Sequence, residues 1–446
     1  MPSTGHDREH LRRLHERPQK SLEEWLALPA HVHHVAHRMA NPPIERPRSR
    51  EEFRQILQSL EVPAATSVLH DKFGYGVRTA SSGDRLIIVW DAHTEYYSYQ
   101  VWHIPSDTGK PLSFGPLTFP NYLFPISPLG LRVNALDILI TQGPDVSPEQ
   151  CRSVMPGSTL YGSRVLGENI SVVTTFTPDE HDRERYLVIF SAATPANHLL
   201  QIVDALVRIE TYYHLILMQK PIFSSAVDEV YAFEQLHLRQ REIITDQLNA
   251  STSTSLQRWL NHLTEDLMKV NRLAGRMHYE LSAAVPYDKI VQTTVHALQE
   301  QPLPPCRLLS DYVLGGVTGV AEGYQQLLRR IETLKSGFEG IIALIRARVD
   351  LLLEGQNLVL LSSVDQTTKS QAVLQHTVEG LSVIIIAYYL SGLASYIFKA
   401  FHELGWIHNA TYATAIFVPI ALGLSFTLMK LSRKVIHKRL TSKPDP

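Results

Sequence analysis

The stretch Gly380–Phe398, GLSVIIIAYYLSGLASYIF, runs for nineteen residues without a charge in a chain of 446 residues. As a helix it reaches roughly 28 Å, close to the thickness of a bilayer's hydrocarbon layer. Seven residues, KAFHELG, separate it from a second long stretch, Trp406–Met429, whose one ionisable side chain is His408 near its start. Pro419 inside that second stretch breaks a backbone hydrogen bond, which a membrane helix tolerates where neighbouring groups re-satisfy the freed carbonyl. Tyr396, Phe401, Trp406 and Tyr412 gather around the connection, where amphipathic rings favour the headgroup level. The spacing predicts a two-helix transmembrane hairpin rather than a buried hairpin of a soluble core.

The tail KLSRKVIHKRLTSKPDP carries six Lys or Arg between Lys430 and Lys443, whereas the connection has one Lys and one Glu. Positive charge stays inside, so the tail is expected in the cytoplasm. Two crossings bring everything upstream to the same side, and no N-terminal apolar run precedes it. The expected location is a bacterial inner membrane with both termini cytoplasmic. Cys151 and Cys306 agree with a reducing compartment but also suffice for one disulfide. A net charge of −2 gives no reason to expect nucleic acid as a partner.

Upstream, residues 1–63 are rich in Arg, His and Pro, with short helical patterns such as SLEEWLAL, for which Ser21 is a plausible cap. Residues 64–194 hold strand-like runs, DRLIIVW, EYYSYQVWHI, RVNALDILIT, NISVVTTFT and RYLVIFSA, dense in β-branched and aromatic residues. A mostly antiparallel sheet is the simplest assembly, with WDAHTEYYSYQVW joining the first two runs as a hairpin. The proline-rich IPSDTGKPLSFGPLTFPNYLFPISPLG between runs two and three is expected to extend over the sheet, its aromatic residues covering it.

Residues 195–305 show apolar residues three and four apart in several successive stretches, a helical bundle. From 306 to 379 the spacing tightens into a coiled-coil seam of Val317, Val320, Tyr324, Leu327, Ile331, Leu334, Phe338, Ile341 and Ile345. Gly319, Gly323, Gly337, Gly340 and Gly355 weaken that seam, so packing within the chain competes with a homo-oligomer. If helical throughout, Thr318–Gln375 spans about 87 Å, a long stalk leading into the hairpin at 380–429 and the basic tail at 430–446. The fold class expected is α+β: an N-terminal, mostly antiparallel sheet, a long-helix bundle and stalk, and a transmembrane hairpin.

Six short stretches carry a family resemblance: LHERP (Leu14–Pro18), HTEY (His93–Tyr96), GSRV (Gly162–Val165), IETY (Ile209–Tyr212), RVDLLLEGQN (Arg348–Asn357) and LQHTVEGLSV (Leu374–Val383). Through them the chain resembles an uncharacterised bacterial family of membrane-anchored proteins bearing a domain of unknown function. The resemblance covers nearly the whole chain and implies almost no chemistry. Its relatives read Arg and Ser in the early helix where this chain has His31 and His33, with His34 alone in register.

That early segment, HVHHVAH, is the one metal-like motif. On a helix His33 and His37, or His34 and His37, lie one turn apart and can share a metal, with further ligands from elsewhere; a polar, partly exposed helix face is the plainer reading. In HTEY, His93 and Glu95 alternate to one face of a strand, an acid–base pair or, more simply, a hydrogen bond at a sheet edge. Glu210 and Tyr212 sit in an apolar helix, where the carboxylate needs a cationic or hydroxyl partner; Arg17 or Arg164 could serve. His15, beside Arg17, belongs to the same family stretch.

Nearer the hairpin lie Glu354, Gln356 and Asn357 in the stalk and Glu379 at the first crossing's mouth, where it either caps the helix or, in an oligomer, contributes to a ring. Ala387, Ser391 and Ser395 repeat every four residues, a small-residue stripe expected to pair with the second crossing of the same chain. No catalytic residue is assigned, and no Walker loop, Rossmann fingerprint, zinc-protease helix, nucleophile elbow or kinase set is present. No cofactor follows from the sequence. The leading expectation is a cytoplasmic binding, sensing or scaffolding module tethered to a lipid bilayer. An oligomeric cation channel is the alternative, since the layout resembles the CorA magnesium transporters, although YIFKAFHELGW stands where those carry Gly-Met-Asn. A membrane-bound hydrolase using His93 and Glu95 is the weakest.

Overall fold

A computed structural model describes residues 22–107, 112–115, 129–144, 147–167, 169–191 and 198–440, with side chains described as far as Leu431. The chain divides into two compact units, residues 1–247 with 261–342, and residues 248–260 with 343–446.

The first unit is organised by a ten-stranded sheet in the order β10-β7-β8-β9-β6-β1-β5-β4-β3-β2. Its strands are β1 (Ala30–Arg38), β2 (Ser67–Leu69), β3 (Phe73–Thr79), β4 (Arg85–Ala92), β5 (Tyr96–Ile104), β6 (Leu131–Gln142), β7 (Tyr161–Val165), β8 (Ile170–Pro178), β9 (Glu184–Phe190) and β10 (Gln301–Pro302). All neighbours pair antiparallel except β6 and β9, which run parallel with Asp137 opposite Arg185. The β4–β5 hairpin forms where WDAHTEYYSYQVW predicts it, Ala92 facing Tyr97.

The segment HVHHVAH is a strand, not the expected helix, and it lies in the middle of the sheet between β5 and β6. Of residues 1–63, those described from Leu22 onward contribute β1 itself to the sheet, and the helix Pro42–Ser59 follows it. The physical reason is burial on both faces: Ala30, Val32 and Ala36 are fully enclosed, and His31 and His33 find polar partners in Asp137 of β6 and Gly115 of the connection. A strand covered by helices on both sides loses its alternation of polar and apolar residues. The four histidines then mimic a helical face by spacing alone.

On one face, α1 (Pro42–Ser59) starts with prolines in its first turn, where the missing N–H costs least. Glu45 accepts hydrogen bonds from the Ala40 and Asn41 amides, and the helix packs Phe53 and Leu57 on Leu86, Ile88, Trp90, Tyr99 and Val101. Trp90 Nε1 donates to Ser49 Oγ at 3.2 Å, fixing the helix over β4. The β6–β9 half of that face is covered by α2 (Pro148–Val154), whose Ser147 and Gln150 form a capping box. Leu112 and Phe114 of the proline-rich connection cover the same core, as expected; the rest of its aromatic residues lie outside the described residues.

The other face carries α3 (Leu199–Leu217), followed by α4 (Lys220–Gln247), α5 (Ser253–Leu281), α6 (Ala284–Ala297) and α7 (Leu309–Glu403). The predicted seam of α7 is buried except at Val320, which is half-buried; Phe223 meets Tyr324 at 5.0 Å and His237 meets Phe338 at 4.9 Å between ring centroids. Arg330 binds Glu234 through two nitrogens, at 3.0 and 2.7 Å. Gly337 does not merely weaken the helix. A Cβ there would lie 2.8 Å from the His237 ring, and one on Gly316 would lie 2.9 Å from Tyr213. Both glycines let a ring from a neighbouring helix approach the α7 backbone.

In the second unit α7 continues to Glu403, and α8 (Ala410–Leu440) begins after a short turn, so most of KAFHELG is helical. Gly405 takes a left-handed φ of +80°, and Trp406 stacks on Phe401. Asn409 Oδ1 then caps α8 by accepting from the Thr411 amide at 3.0 Å. The apolar lengths of α7 and Ala410–Leu431 are long and apolar enough to cross a membrane.

Candidate functional site

Alternation along β1 places His31, His33 and His37 on the face shared with Tyr97, Tyr99 and Val101, and His34 on the opposite face. The predicted grouping of His33, His34 and His37 is therefore split by the sheet. Asp137 joins two of the histidines instead, because β6 pairs with β1 and sets Asp137 directly opposite His33. His31 Nε2 lies 2.5 Å from Asp137 Oδ1 and His33 Nε2 lies 3.5 Å from the same oxygen. The two rings meet edge to face, with centroids 4.8 Å apart. The Gly115 amide donates to the other carboxylate oxygen at 3.1 Å, and its carbonyl lies 3.0 Å from His33 Nε2. Arg183 Nη1 is 2.6 Å from His33 Nδ1.

Burial alone would raise the Asp137 carboxyl, but the hydrogen bonds and charge of His31 and His33 outweigh it and hold the group well below the usual range. Burial and the Arg183 charge lower His33 against the opposing pull of Asp137. A guanidinium has no lone pair to offer, so Nδ1 of His33 accepts and Nε2 carries the proton, donating to the Gly115 carbonyl. A cavity of about 70 Å³ opens beside this cluster, lined by Gly115, Asp137, Asp179, His181 and Arg183.

A second cluster lies on the opposite face at the start of β9. His214 Nε2 is 3.2 Å from Glu184 Oε1, and His214 Nδ1 lies 2.8 Å from the Glu210 carbonyl and 3.4 Å from Glu210 Oε2. Tyr186 donates its hydroxyl to Glu210. The imidazole thus spends both nitrogens on different acceptors, which requires the imidazolium form. Burial opposes that charge, yet Glu184 and Glu210 raise the His214 pKa to about 11. Burial and the Glu210 charge push Glu184 up to about 7. Glu210 finds its partners in Tyr186 and His214, where the sequence pointed to Arg17 or Arg164; Arg164 stands on β7, opposite Gln301 and Ser171.

His93 and Glu95 lie in the β4–β5 turn rather than along a strand. His93 stacks on Tyr96 at 4.3 Å and its Nε2 is 3.2 Å from Asp91, while the Glu95 carbonyl accepts from the Met39 amide. Tyr212 lies between Tyr96 and Tyr287. Glu354, Gln356 and Asn357 are exposed on α7. Glu379 accepts from Gln375 at 3.0 Å and sits 3.8 Å from His376. Ala387 is buried, with Ser391 and Ser395 half-buried. His15 and Arg17 lie outside the described residues.

A family model described as "Protein of unknown function (DUF3422)" matches residues 6–436. The chain belongs to the DUF3422 family. That assignment agrees with the resemblance read from LHERP to LQHTVEGLSV and adds no activity to it. No curated protein matches the chain. Among solved structures it is similar to the CorA magnesium transporter from Methanocaldococcus jannaschii, at 10% identity over 72% of this chain and 98% of that one, with a TM-score of 0.12. A score that low carries no argument about the fold of a DUF3422 chain.

Sequence reasoning missed Asp137 and His214. The signals were present: an aspartate inside the apolar run NALDILIT, histidines two apart in a strand-compatible segment, and a histidine one turn after Glu210.

His34 makes the pH dependence of this DUF3422 sheet testable. It is fully buried, neither ring nitrogen makes a hydrogen bond of normal geometry among the described residues, and burial with the His37 and His93 charges outweighs the weak opposing pull of Asn134 and lowers its pKa to about 3. A depressed histidine contributes stability that is present above the unfolded pKa of 6.5 and is lost as pH falls towards 3. Relative to His34→Leu, the parent chain is expected to lose about 2 kcal/mol between pH 7 and pH 5. Urea midpoints of both proteins at the two pH values check this; parallel pH slopes contradict it.

Proposed function

We propose that the chain is a module tethered to a bilayer by the hairpin of α7 and α8, with the sheet-and-bundle unit binding or sensing on the side that carries the basic tail. The supporting observation is the reversed burial of the two apolar segments. Their large side chains face outward, with Ile384 60%, Tyr388 76%, Leu393 63% and Ile416 66% exposed. Their buried positions are small: Ala387, Ala394, Ala421 and Ser425 are each under a tenth exposed. Phe398 and Phe417 meet at 5.8 Å, so the two segments touch. Water would make such an arrangement costly, at about 25 cal/mol per Å² of exposed apolar surface, whereas lipid removes that cost and leaves small residues to set close helix packing.

On this reading the compartment is the cytoplasm of a bacterium, and the membrane its inner one. The full chain is expected to stay with the membrane pellet through an alkaline carbonate wash. A chain ended after Gln375 is expected to be soluble and to keep a cooperative thermal transition. Full-length protein released by the wash would overturn the proposal, as would tags at the two ends reporting opposite compartments.

A further inference from the structure

Two clusters bring histidine and carboxylate ligand atoms within 4.8 Å of one another: His31 with His33 and Asp137, and His214 with Glu184 and Glu210. Their geometry separates them. In the second, one imidazole spends its two nitrogens on two different glutamates, so it serves as the cation of an ion-pair bridge. In the first, two imidazoles aim the same nitrogen, Nε2, at one carboxylate oxygen, and the Gly115 carbonyl lies 3.0 Å from one of those nitrogens.

We propose that His31 Nε2, His33 Nε2 and Asp137 Oδ1 bind one divalent transition-metal ion, with the Gly115 carbonyl or a water from the adjoining cavity completing the shell. Two imidazoles with oxygen donors and no thiolate suit Zn²⁺, which takes four such ligands at about 2.0–2.2 Å. All three side chains are buried and held by β1 and β6 at fixed register, so to share an ion the His31 and Asp137 donors need only part from their 2.5 Å hydrogen bond to about 3.4 Å, the separation of two ligands on one tetrahedral zinc. The cavity lined by Asp137 and Gly115 supplies an entry path and room for a water ligand.

Arg183 governs loading. Its guanidinium, 2.6 Å from His33 Nδ1, holds that ring in the tautomer whose Nε2 carries a proton and cannot ligate. Metal entry then needs the His33 proton to move to Nδ1 with the guanidinium turning away, and the His31 Nε2 proton that Asp137 now accepts to pass to that ring's Nδ1 or to solvent, while the Arg183 charge opposes the ion throughout. Removing Arg183 should therefore tighten binding, an effect that a misfolded protein cannot produce. The inference concerns the sheet alone and stands whether or not the hairpin crosses a bilayer.

The experiment uses full-length protein in mild detergent, purified without a polyhistidine tag, stripped with a chelator and titrated with Zn²⁺ and, for its visible spectrum, Co²⁺. The expected result is one equivalent bound, with the absorption of a four-coordinate nitrogen and oxygen site. His31→Gln and Asp137→Asn should weaken binding by about 100-fold or more, beyond the loss usual for a supporting residue. Arg183→Met should tighten it by about tenfold or more, given a full positive charge removed from within several ångströms. His34→Leu, on the other face, should leave the stoichiometry unchanged. Less than one equivalent in the parent chain, unaltered binding in Asp137→Asn, or weaker binding in Arg183→Met overturns the proposal.

Discussion

Replacing His214 with alanine is expected to cost about 3–5 kcal/mol at pH 8, the loss typical of stripping one partner from a buried ion pair. The substitution leaves Glu184 and Glu210 facing each other with no cation between them, and Tyr186 alone donating to Glu210. Like charges at that depth cannot both persist, so one carboxyl must take up a proton. Because the imidazolium's contribution is lost only as pH rises from 6.5 towards 11, the deficit should shrink towards pH 10, and Glu184→Gln in the same chain should recover part of it at pH 8.

The parent protein has its own slope here, and the signs agree. Glu184 and His214 both have raised folded values, about 7 and about 11. Each contributes stability that is present below its unfolded pKa and is lost as pH rises, over 4.5 to 7 for the carboxyl and from 6.5 towards 11 for the imidazole. Denaturant melts of the detergent-solubilised chain at pH 5, 8 and 10 read all of this. A His214→Ala variant equally destabilised at pH 8 and pH 10 would show that lost packing, not charge, is the cause.

Trp90→Ala is expected to be as damaging, at about 3–5 kcal/mol. Trp90 is fully buried, its ring is stacked on Phe53 at a centroid distance of 6.1 Å, and its indole nitrogen donates to Ser49 Oγ. Removing the ring empties the centre of the α1–β4 contact and takes away the donor to Ser49 Oγ, which keeps only its own hydrogen bond to the Arg46 carbonyl. Trp90→Phe separates the two contributions, since it keeps most of the packing and loses only the donor. Its expected cost is about 1–2 kcal/mol, and thermal unfolding of the three proteins side by side is the check. Equal losses for Phe and Ala would mean that the hydrogen bond, rather than the ring, fastens α1.

The sheet-then-helices order and the two apolar segments were legible in the sequence, because both depend on local periodicity or on one long uncharged run. LIIVW and YLVIF announce strands through β-branched and aromatic residues whatever surrounds them. The identity of β1 was hidden for the opposite reason: His31 and His33 reach a carboxylate about a hundred residues away, and His37 stacks on Tyr97 of another strand. Period alone then favours the wrong element. The parallel β6–β9 pair had no local mark at all, since register across a crossover is decided by the chain between the strands. At the candidate sites the same limit applies. Glu210 was conspicuous as a charge in an apolar helix, but its bridge to Glu184 exists only once β9 lies under α3. Gly337 looked like a flaw in the α7 seam until the His237 ring was seen resting against it.

The place of β1 has a consequence for biosynthesis. It separates the β5-β4-β3-β2 half of the sheet from the β6-β9-β8-β7-β10 half, pairing with both. Of the described strands it leaves the ribosome before any other, yet its two flanks arrive only with residues 96–104 and 131–142. Until then a nascent chain holds an unpaired edge carrying buried-type histidines, and β6 waits longer still for β9. Translation order thus schedules assembly outward from a first-made keystone, and a lesion in residues 30–38 would leave two half-sheets with nothing to join them.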